Sequence, residues 1–425
     1  MSANGVLIAG AGIGGLTAAL ALGRRGIGVT LFEQAEKLEE AGAGIQLSPN
    51  ATRVLVALGL AERLSAVIVE PSAIRVRSAP SGRELVTMRL GAATLQRYGA
   101  PYWVVHRADL QKVLIEAIAE HPRITLTLGA TVDDFTIGPT GVSAGVSFPP
   151  LDGRPADAAP DSRNGMDRHG RGISLRQGGA GRADYRAAAL IGADGLWSRL
   201  HALLLGERTT PRFAGRNAFR AIIPAKQLSP PEREPTVNLW IGPDGHLVHY
   251  PVRAGAAVNI VAACGGRSPS SGWNTRVGRD EVLERFPAAG WAAARQLLAA
   301  PEHWQKWPLY DREPSTSWGQ GPVTLLGDAA HPMLPFLAQG AAMAIEDAVV
   351  LARELARSPV DCAAALRSYE SERRPRTARV QREARRNDFS YHLRQPAAFI
   401  RDAIMQALGG ERLLAQYDWI YQWRP

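Results

Sequence analysis

Gly5-Val6-Leu7-Ile8-Ala9-Gly10-Ala11-Gly12-Ile13-Gly14-Gly15-Leu16 decides the fold of the chain. The apolar run from Gly5 to Ala9 reads as a short buried strand. The Ala- and Leu-rich run from Leu16 to Arg25 reads as a helix that Gly26 ends. Val29-Thr30-Leu31-Phe32 reads as a second strand closing at Glu33. Together they form a βαβ unit with G-x-G-x-x-G at its first turn. Gly10 permits the tight turn and Gly12 lets the backbone approach a pyrophosphate. Gly14 lies in the same loop, and Gly15 lets helix and strand pack closely. The helix N-terminus then faces the phosphates. Glu33 stands about 20 residues on, at the strand end, where a carboxylate accepts from ribose hydroxyls. A G-x-G-x-x-G alone is a weak signal. With both strands, the helix and the acid in place, it marks a dinucleotide site. The acid suits an unphosphorylated ribose, as in FAD or NAD.

The remaining chain is long enough, at 425 residues, for two or three domain-sized units. Hydrophobic residues make up 46% and charged residues 21%, as in ordinary soluble globular proteins. No uninterrupted apolar run reaches membrane-spanning length, so no stable membrane insertion is expected. The start enters a strand pattern without a basic region and signal-like apolar segment, so a cytoplasmic location is expected. Cys264 and Cys362 give neither a disulfide framework nor metal-ligand spacing, and no metal is expected. The net charge is +9, of which Arg367 to Arg394 supplies +5, with nine arginines against four acids. That stretch reads as a solvated helix face. It carries no aromatic interleaving that would point to nucleic acid.

Gly42-Ala43-Gly44-Ile45-Gln46-Leu47-Ser48-Pro49-Asn50 is a second glycine-rich loop. It opens a helix through about Leu58, with Ser48 or Asn50 as cap. Ile74 to Arg77 and Leu85 to Met88 look like strands of a different, mixed sheet. Trp103 to His106 lead through Arg107, beside a strand end, into a helix from Ala108 to Glu120. Strands follow at Ile124 to Leu128, Thr131 to Ile137 and Val142 to Phe148. Residues 149–184 are rich in Pro, Gly, Arg and Asp with sparse apolar positions, and read as a flexible surface insertion. A strand from Ala187 to Ile191 ends in Gly192-Ala193-Asp194-Gly195, then a helix runs from Leu196 to Leu205. Antiparallel strands at Ala218 to Pro224, Thr236 to Ile241, His246 to Val252 and Ala256 to Ala263 come next, then helices at Arg279 to Phe286 and Trp291 to Ala299. Val323-Thr324-Leu325-Leu326 is a strand running into Gly327-Asp328-Ala329-Ala330-His331-Pro332-Met333-Leu334-Pro335 and a helix from Ala341 to Ala356. That helix start offers free N–H groups and a positive dipole end to a phosphate or a negatively polarised ring edge. The C-terminus is helical from Cys362 to Asn387 and from Pro396 to Leu408.

Three glycine and acid signatures therefore stand in order: Gly10 to Gly15, Gly192 to Gly195, and Gly327 to Ala342. In this the chain resembles the single-component FAD-dependent aromatic hydroxylases, flavoprotein monooxygenases with one dinucleotide fold. His246-Leu247-Val248-His249-Tyr250-Pro251-Val252-Arg253 and Tyr417-Asp418-Trp419-Ile420-Tyr421 bring it nearest the branch of salicylate hydroxylase and 3-hydroxybenzoate 6-hydroxylase. The resemblance covers nearly the whole chain; residues 149–184 are the main departure. It implies an α/β fold in which a Rossmann-like FAD-binding domain of the glutathione-reductase type is interleaved with a mixed-sheet substrate domain. Residues 1–72, 100–130, 185–205 and 320–357 would form the first, residues 73–99 and 206–319 the second, and residues 358–425 a helical C-terminal region.

The resemblance also assigns roles. Gly10, Gly12, Gly14, Gly15 and Glu33 would hold the ADP half of FAD, Gly44 would also bind the cofactor, and Arg107 would reach the flavin or its pyrophosphate. Asp328 would accept from the ribityl chain. The backbone of Gly340, Ala341 and Ala342 would face the flavin pyrimidine edge. Asp194 matches the acid shared between FAD and the nicotinamide donor. No second G-x-G-x-x-G exists, in keeping with NADH or NADPH as a transient co-substrate. The implied reaction uses O2: reduced flavin forms a hydroperoxide whose distal oxygen attacks an electron-rich ring. Pro335 matches the stiff segment over the flavin. His331 is a candidate general base, or a turn residue bonded to backbone. Arg220, Phe219, His246 and Tyr250 are candidate substrate contacts. Strand alternation puts His246 and Tyr250 on one face and His249 on the other.

One departure concerns the strand at Ala218-Phe219-Arg220. Relatives that ionise a hydroxylated ring carry Tyr just before the Arg and His four residues earlier. Here Phe219 and Gly215 occupy those places, so this strand offers no side-chain proton relay. The expected function is hydroxylation of an aromatic acid, hydroxybenzoate- or salicylate-like or heteroaromatic, by a monomer or homodimer. The alternatives are an FAD-dependent reductase or epoxidase acting on an isoprenoid lipid, and a non-catalytic flavin-binding module.

Overall fold

The structure, a computed structural model, describes residues 5–38, 43–148, 173–174, 181–206, 210–266 and 274–425. A six-stranded parallel sheet takes its strands from across the chain. Its order is Ile173–Ser174, Ile124–Leu128, Val29–Glu33, Val6–Ala9, Ala189–Gly192, Val323–Leu325. Its central strands are continuous apolar runs because helices cover them; Val6–Ala9 is buried throughout. The helix Ile13–Gly23 packs along the helix Gly340–Arg357. Gly14 lets the two helices approach, and Gly15 lets the helix start close on the Gly10 turn. A Cβ on Gly14 would lie 2.7 Å from Leu326 Cδ2 and 3.1 Å from Ala344 Cβ, and one on Gly15 would lie 1.9 Å from the Gly10 carbonyl oxygen. Gly10, at φ +104°, has the Ala193 carbonyl oxygen 2.4 Å from where its Cβ would sit. The first turn is thereby clamped against the Gly192–Gly195 turn.

A second sheet of eight strands stands opposite the first. Its order is Thr275–Gly278, His303–Asp311, Arg212–Pro224, Ala257–Gly265, Gly245–Val252, Val237–Gly242, Ala73–Ser78, Glu84–Arg89. Every neighbour pair is antiparallel except Val237–Gly242 with Ala73–Ser78. One face buries Phe219, Leu247, Val258, Ile260 and Ala262 against Phe286, Trp291 and Leu298. The opposite face, bearing Arg220, His246, Val248, Tyr250, Val261 and Ala263, looks toward the first sheet. The expected helix from Trp291 to Ala299 is broken into Ala288–Trp291, a 3-10 turn and Arg295–Ala299. The strand His303–Asp311 is absent from the sequence reading. Pro308 argues against a strand, but a register shift between Phe213 and Asn217 accommodates it.

Three further expectations are corrected. The stretch expected to loop as far as residue 184 already pairs at Gly181–Ala187 with Gly141–Phe148, which pairs in turn with Thr131–Gly138; most of 149–180 lies outside the described residues. Neither Ser48 nor Asn50 caps the helix Pro49–Ala57 by its side chain. Ser48 Oγ donates to Asn50 Oδ1, and Asn50 Nδ2 donates to Glu346 Oε1 at 2.7 Å, so both belong to a buried polar layer. The arginine-rich helix Cys362–Tyr391 is not simply a solvated face. Arg373 is fully buried, donating to Asp347 Oδ1 and Glu346 Oε2 at 2.7 and 2.6 Å, and Arg376 donates to Glu346 as well. The acids that call for these arginines sit on another helix, outside any local window of sequence.

Candidate functional site

Between the two sheets lies a cavity of about 1320 Å³, larger than a typical small-ligand pocket. One end is built by the first βαβ unit. The Glu33 carboxylate accepts from Ala11 N at 2.8 Å and Ala35 N at 3.0 Å, which fixes it beside the Gly10–Gly12 turn. Nothing lies within 4 Å of where a Gly12 Cβ would be, so the backbone there faces open space in front of the helix start. Gly44 N donates to Asn259 Oδ1 at 2.7 Å, and a Cβ on Gly44 would meet Tyr250 and Asn259 at 2.7 and 2.8 Å. The second glycine loop therefore presses against the large sheet. Arg107 lines the cavity at the base of the helix Arg107–Ala119, with its N–H on Ala43 O at 3.1 Å.

The middle of the cavity is bounded by the Gly327 turn. Gly327, at φ +62°, donates its N–H to Asp347 Oδ2 at 3.1 Å. The Asp328 side chain opens into the cavity although protein surrounds it. Burial pushes its carboxyl up, against the pull of His331, Arg107 and Arg312. The segment then runs through Pro335–Leu337 and a left-handed Ala338 to the helix Gly340–Arg357. Gly340 and Ala341 line the cavity, and the first N–H groups of this 18-residue helix have no intrahelical acceptor. Gln381 Nε2 donates to Pro332 O at 2.8 Å and Asn387 Nδ2 to Phe336 O at 3.0 Å, so the C-terminal helix holds this segment in place.

Asp194 also lines the cavity, but its carboxylate is engaged by its own turn. Ser198 Oγ donates to it at 2.6 Å and Leu200 N at 3.2 Å, while burial pushes its pKa up. Arg312 ties this turn to the Gly327 turn, donating to Leu196 O at 3.2 Å and Ala329 O at 3.1 Å; His201 Nδ1 donates to the same Ala329 carbonyl at 2.7 Å. Sequence reasoning missed both residues. Asp311-Arg312-Glu313 looks like an ordinary surface charge run, and nothing local marks His201.

The far end is a chamber between the large sheet and residues 332–338. Tyr250 and His246 share the cavity face, and His249 lies on the other, accepting from Trp240 Nε1 at 3.2 Å. Arg220 reaches in over the Trp307 ring at 5.1 Å, and its Nε is buried with no hydrogen-bond partner. Burial lowers its pKa, with Tyr250 opposing and Arg107 adding to the effect. His246 is 4% exposed, and its Nδ1 lies 2.8 Å from His392 Nε2. Burial, His392 and Arg216 hold its pKa well below the ordinary histidine value, so it is neutral near pH 7.

Four candidate residues do not reach the cavity. His331 is buried with its ring against Trp318, and its Nε2–H donates to Asp347 Oδ2 at 2.6 Å. That bond goes to a carboxylate, not to backbone, and the ring does not line the cavity. Phe219 is fully buried on the opposite face of its sheet, because it alternates with Arg220. Ala342 is buried two residues inside the helix start, and Gly15 packs against the Gly10 turn. Pro335 lines the chamber.

The described parts fit FAD. An open backbone cradle stands at Gly12, a fixed carboxylate at Glu33, and a helix N-terminus at Gly340 and Ala341. Residues 4–155 and 165–384 match the model of the FAD-binding-domain family FAD_binding_3. The chain is 36% identical over 421 residues to 3-hydroxybenzoate 6-hydroxylase 1 of Aquipseudomonas alcaligenes, covering 98% of this chain and 97% of that one. It is 37% identical over 424 residues to 3-amino-4-hydroxybenzoate 2-monooxygenase PtnB3 of Streptomyces platensis, covering 98% and 95%. A solved salicylate hydroxylase substrate complex superposes with a TM-score of 0.77 at 26% identity, covering 99% of this chain and 95% of that one. The chain belongs to the FAD-binding-domain family, in its branch of FAD-dependent aromatic hydroxylases.

Proposed function

We propose that this FAD-dependent monooxygenase hydroxylates a phenolic aromatic carboxylate, with NADH or NADPH as transient co-substrate and O2 as oxidant. The observation that carries the substrate class is Arg220. A guanidinium whose Nε is buried and unpartnered, set in a chamber walled by Val248, Tyr250, Val261 and Leu334, calls for an anionic group on an apolar ring. FAD would lie with its adenosine at Glu33, its pyrophosphate at Gly12 and Arg107, its ribityl chain at Asp328 and its pyrimidine edge at Gly340 and Ala341. Once reduced, it supplies the oxygen-transfer chemistry. The protein's own residues position and enclose. Arg220 orients the carboxylate, Tyr250 bounds the ring, and Pro335 with its neighbours keeps water from the reacting face. Phe219 contributes packing behind Arg220. The relatives' names place hydroxybenzoates, with or without an amino group, among the substrates to test.

Among the described residues no helix is long and apolar enough to cross a membrane, and the charged chamber gives an isoprenoid chain no advantage. The test is a screen of FAD-loaded protein with 3-hydroxybenzoate, 3-amino-4-hydroxybenzoate and salicylate. NADH and NADPH oxidation is followed, together with incorporation of labelled oxygen from O2 into the product. At least one acid is expected to stimulate oxidation and gain an oxygen atom. Stimulated oxidation that yields only peroxide with all three, or none at all, overturns the assignment.

A further inference from the structure

The strand that carries Arg220 has no residue able to take a phenol proton: Phe219 faces the other side and Gly215 has no side chain. A different path leaves the chamber at His246. Its Nδ1 meets His392 Nε2 at 2.8 Å, with the rings stacked at 23°. His392 Nδ1 lies 3.0 Å from Asp388 Oδ1, off the line of a straight hydrogen bond. Arg216 Nε donates to the same Asp388 oxygen at 2.9 Å, and both side chains are 20% exposed. Three elements thus assemble one chain of groups from cavity to solvent. His246 comes from the strand Gly245–Val252, Arg216 from Arg212–Pro224, and His392 and Asp388 from the end of the helix Cys362–Tyr391. Phe336, from the segment closing the chamber, packs on both imidazoles with ring centroids at 5.1 and 5.8 Å, so the pair is dry. The Asp244 N–H on His392 O at 3.3 Å anchors the helix end there.

We propose that His246, His392 and Asp388 form a proton relay that ionises the bound substrate's hydroxyl, in place of the relay absent from the Arg220 strand. The proposal rests on the hydroxylase reading above. The phenol O–H breaks and its proton goes to His246 Nε2. His246 passes its Nδ1 proton to His392 Nε2. His392, after a small rotation of its ring, passes its Nδ1 proton to Asp388, which releases it to water. Each imidazole ends neutral as the other tautomer, no electrons move, and the substrate is left as the phenolate that oxygen transfer needs. The charged groups facing the relay are Arg216 from the strand Arg212–Pro224, Asp244 from the turn before His246, and Asp388 itself.

The test mixes oxidised, FAD-loaded protein with 3-hydroxybenzoate or 3-amino-4-hydroxybenzoate in stopped flow. Binding is read from the flavin spectrum, phenolate from ultraviolet difference absorbance, and released protons from a pH indicator. His392→Phe and Asp388→Asn are expected to bind ligand with affinity near that of wild type but to ionise it at least about tenfold more slowly. Exogenous imidazole is expected to restore part of the rate in His392→Ala, which a merely structural role for His392 would not allow. Ionisation at the wild-type rate in both variants overturns the relay and leaves the function standing. No flavin perturbation by either acid in wild type overturns both.

Discussion

Gly12 and Gly15 belong to one glycine motif, three residues apart, yet the structure separates their surroundings. A Cβ on Gly12 meets nothing within 4 Å, whereas one on Gly15 would lie 1.9 Å from a backbone oxygen. Gly12→Val should therefore leave the FAD-free protein as stable as wild type within about 0.5 kcal/mol, the usual range for substitutions that disturb no packing. It should abolish the thermal stabilisation that FAD confers, because the new side chain fills the backbone's line of approach to the pyrophosphate. Gly15→Val should fail to accumulate as folded protein at all. Thermal melts of both variants with and without FAD check this. A Gly12→Val protein that FAD stabilises as well as wild type would refute the assignment of the pyrophosphate to that turn. The open backbone at Gly12 and the close packing at Gly15 were legible in the sequence, because a glycine pattern between a strand and a helix states backbone requirements directly. His331 was open between a general base and a turn residue, and its bond to Asp347, sixteen residues on, is the brace that no local pattern marks.

The helix Gly340–Arg357 and the helix Cys362–Tyr391 are joined by buried charge. Arg373 bridges Glu346 and Asp347 with all three side chains fully buried. Burial alone would push the Asp347 carboxyl up; His331 and Arg373 hold it below the usual range instead. Such a network adds little net stability compared with an apolar replacement of the whole set, but losing one member leaves charge stranded. Arg373→Met should cost about 3–5 kcal/mol in urea-induced unfolding. It should also loosen the Gly327 turn, whose N–H rests on Asp347. A loss below about 1 kcal/mol would mean that Arg376 and His331 neutralise the two acids unaided. Sequence reading found both helices and their approximate ends, although Pro375 lies inside the second. It misjudged the arginine face, since partners on a second helix leave no periodic trace in the first. The strand His303–Asp311 was hidden for a related reason: Pro308 spoils the local pattern, and only pairing on both sides makes it a strand.

Across the whole molecule, one cavity spans the seam between a parallel sheet that presents helix N-termini and a mixed sheet that presents Arg220, His246 and Tyr250. The first sheet was readable except for Ile173–Ser174, which lies in the stretch read as an insertion, and the second largely so. Their juxtaposition was readable only by resemblance, because no local signal tells Asn259 to meet Gly44 across 215 residues. A cofactor lying along the seam contacts both sides, so its binding free energy adds to the stability of the folded chain as a whole. FAD at about 100 times its dissociation constant should stabilise the protein by about 2.7 kcal/mol. For a chain of this size that is a rise of several degrees in melting temperature, about 2–4 °C per kcal/mol at most. Arg107→Ala and Asp328→Ala act at the middle of the seam, so each should shrink that rise and lose FAD on gel filtration. The sheets themselves should be untouched, and the FAD-free variants should melt as wild-type apoprotein does. If both variants keep a full complement of FAD and the full rise, the cofactor does not lie along Arg107 and Asp328, and the division of the cavity into a nucleotide end and a substrate end must be redrawn.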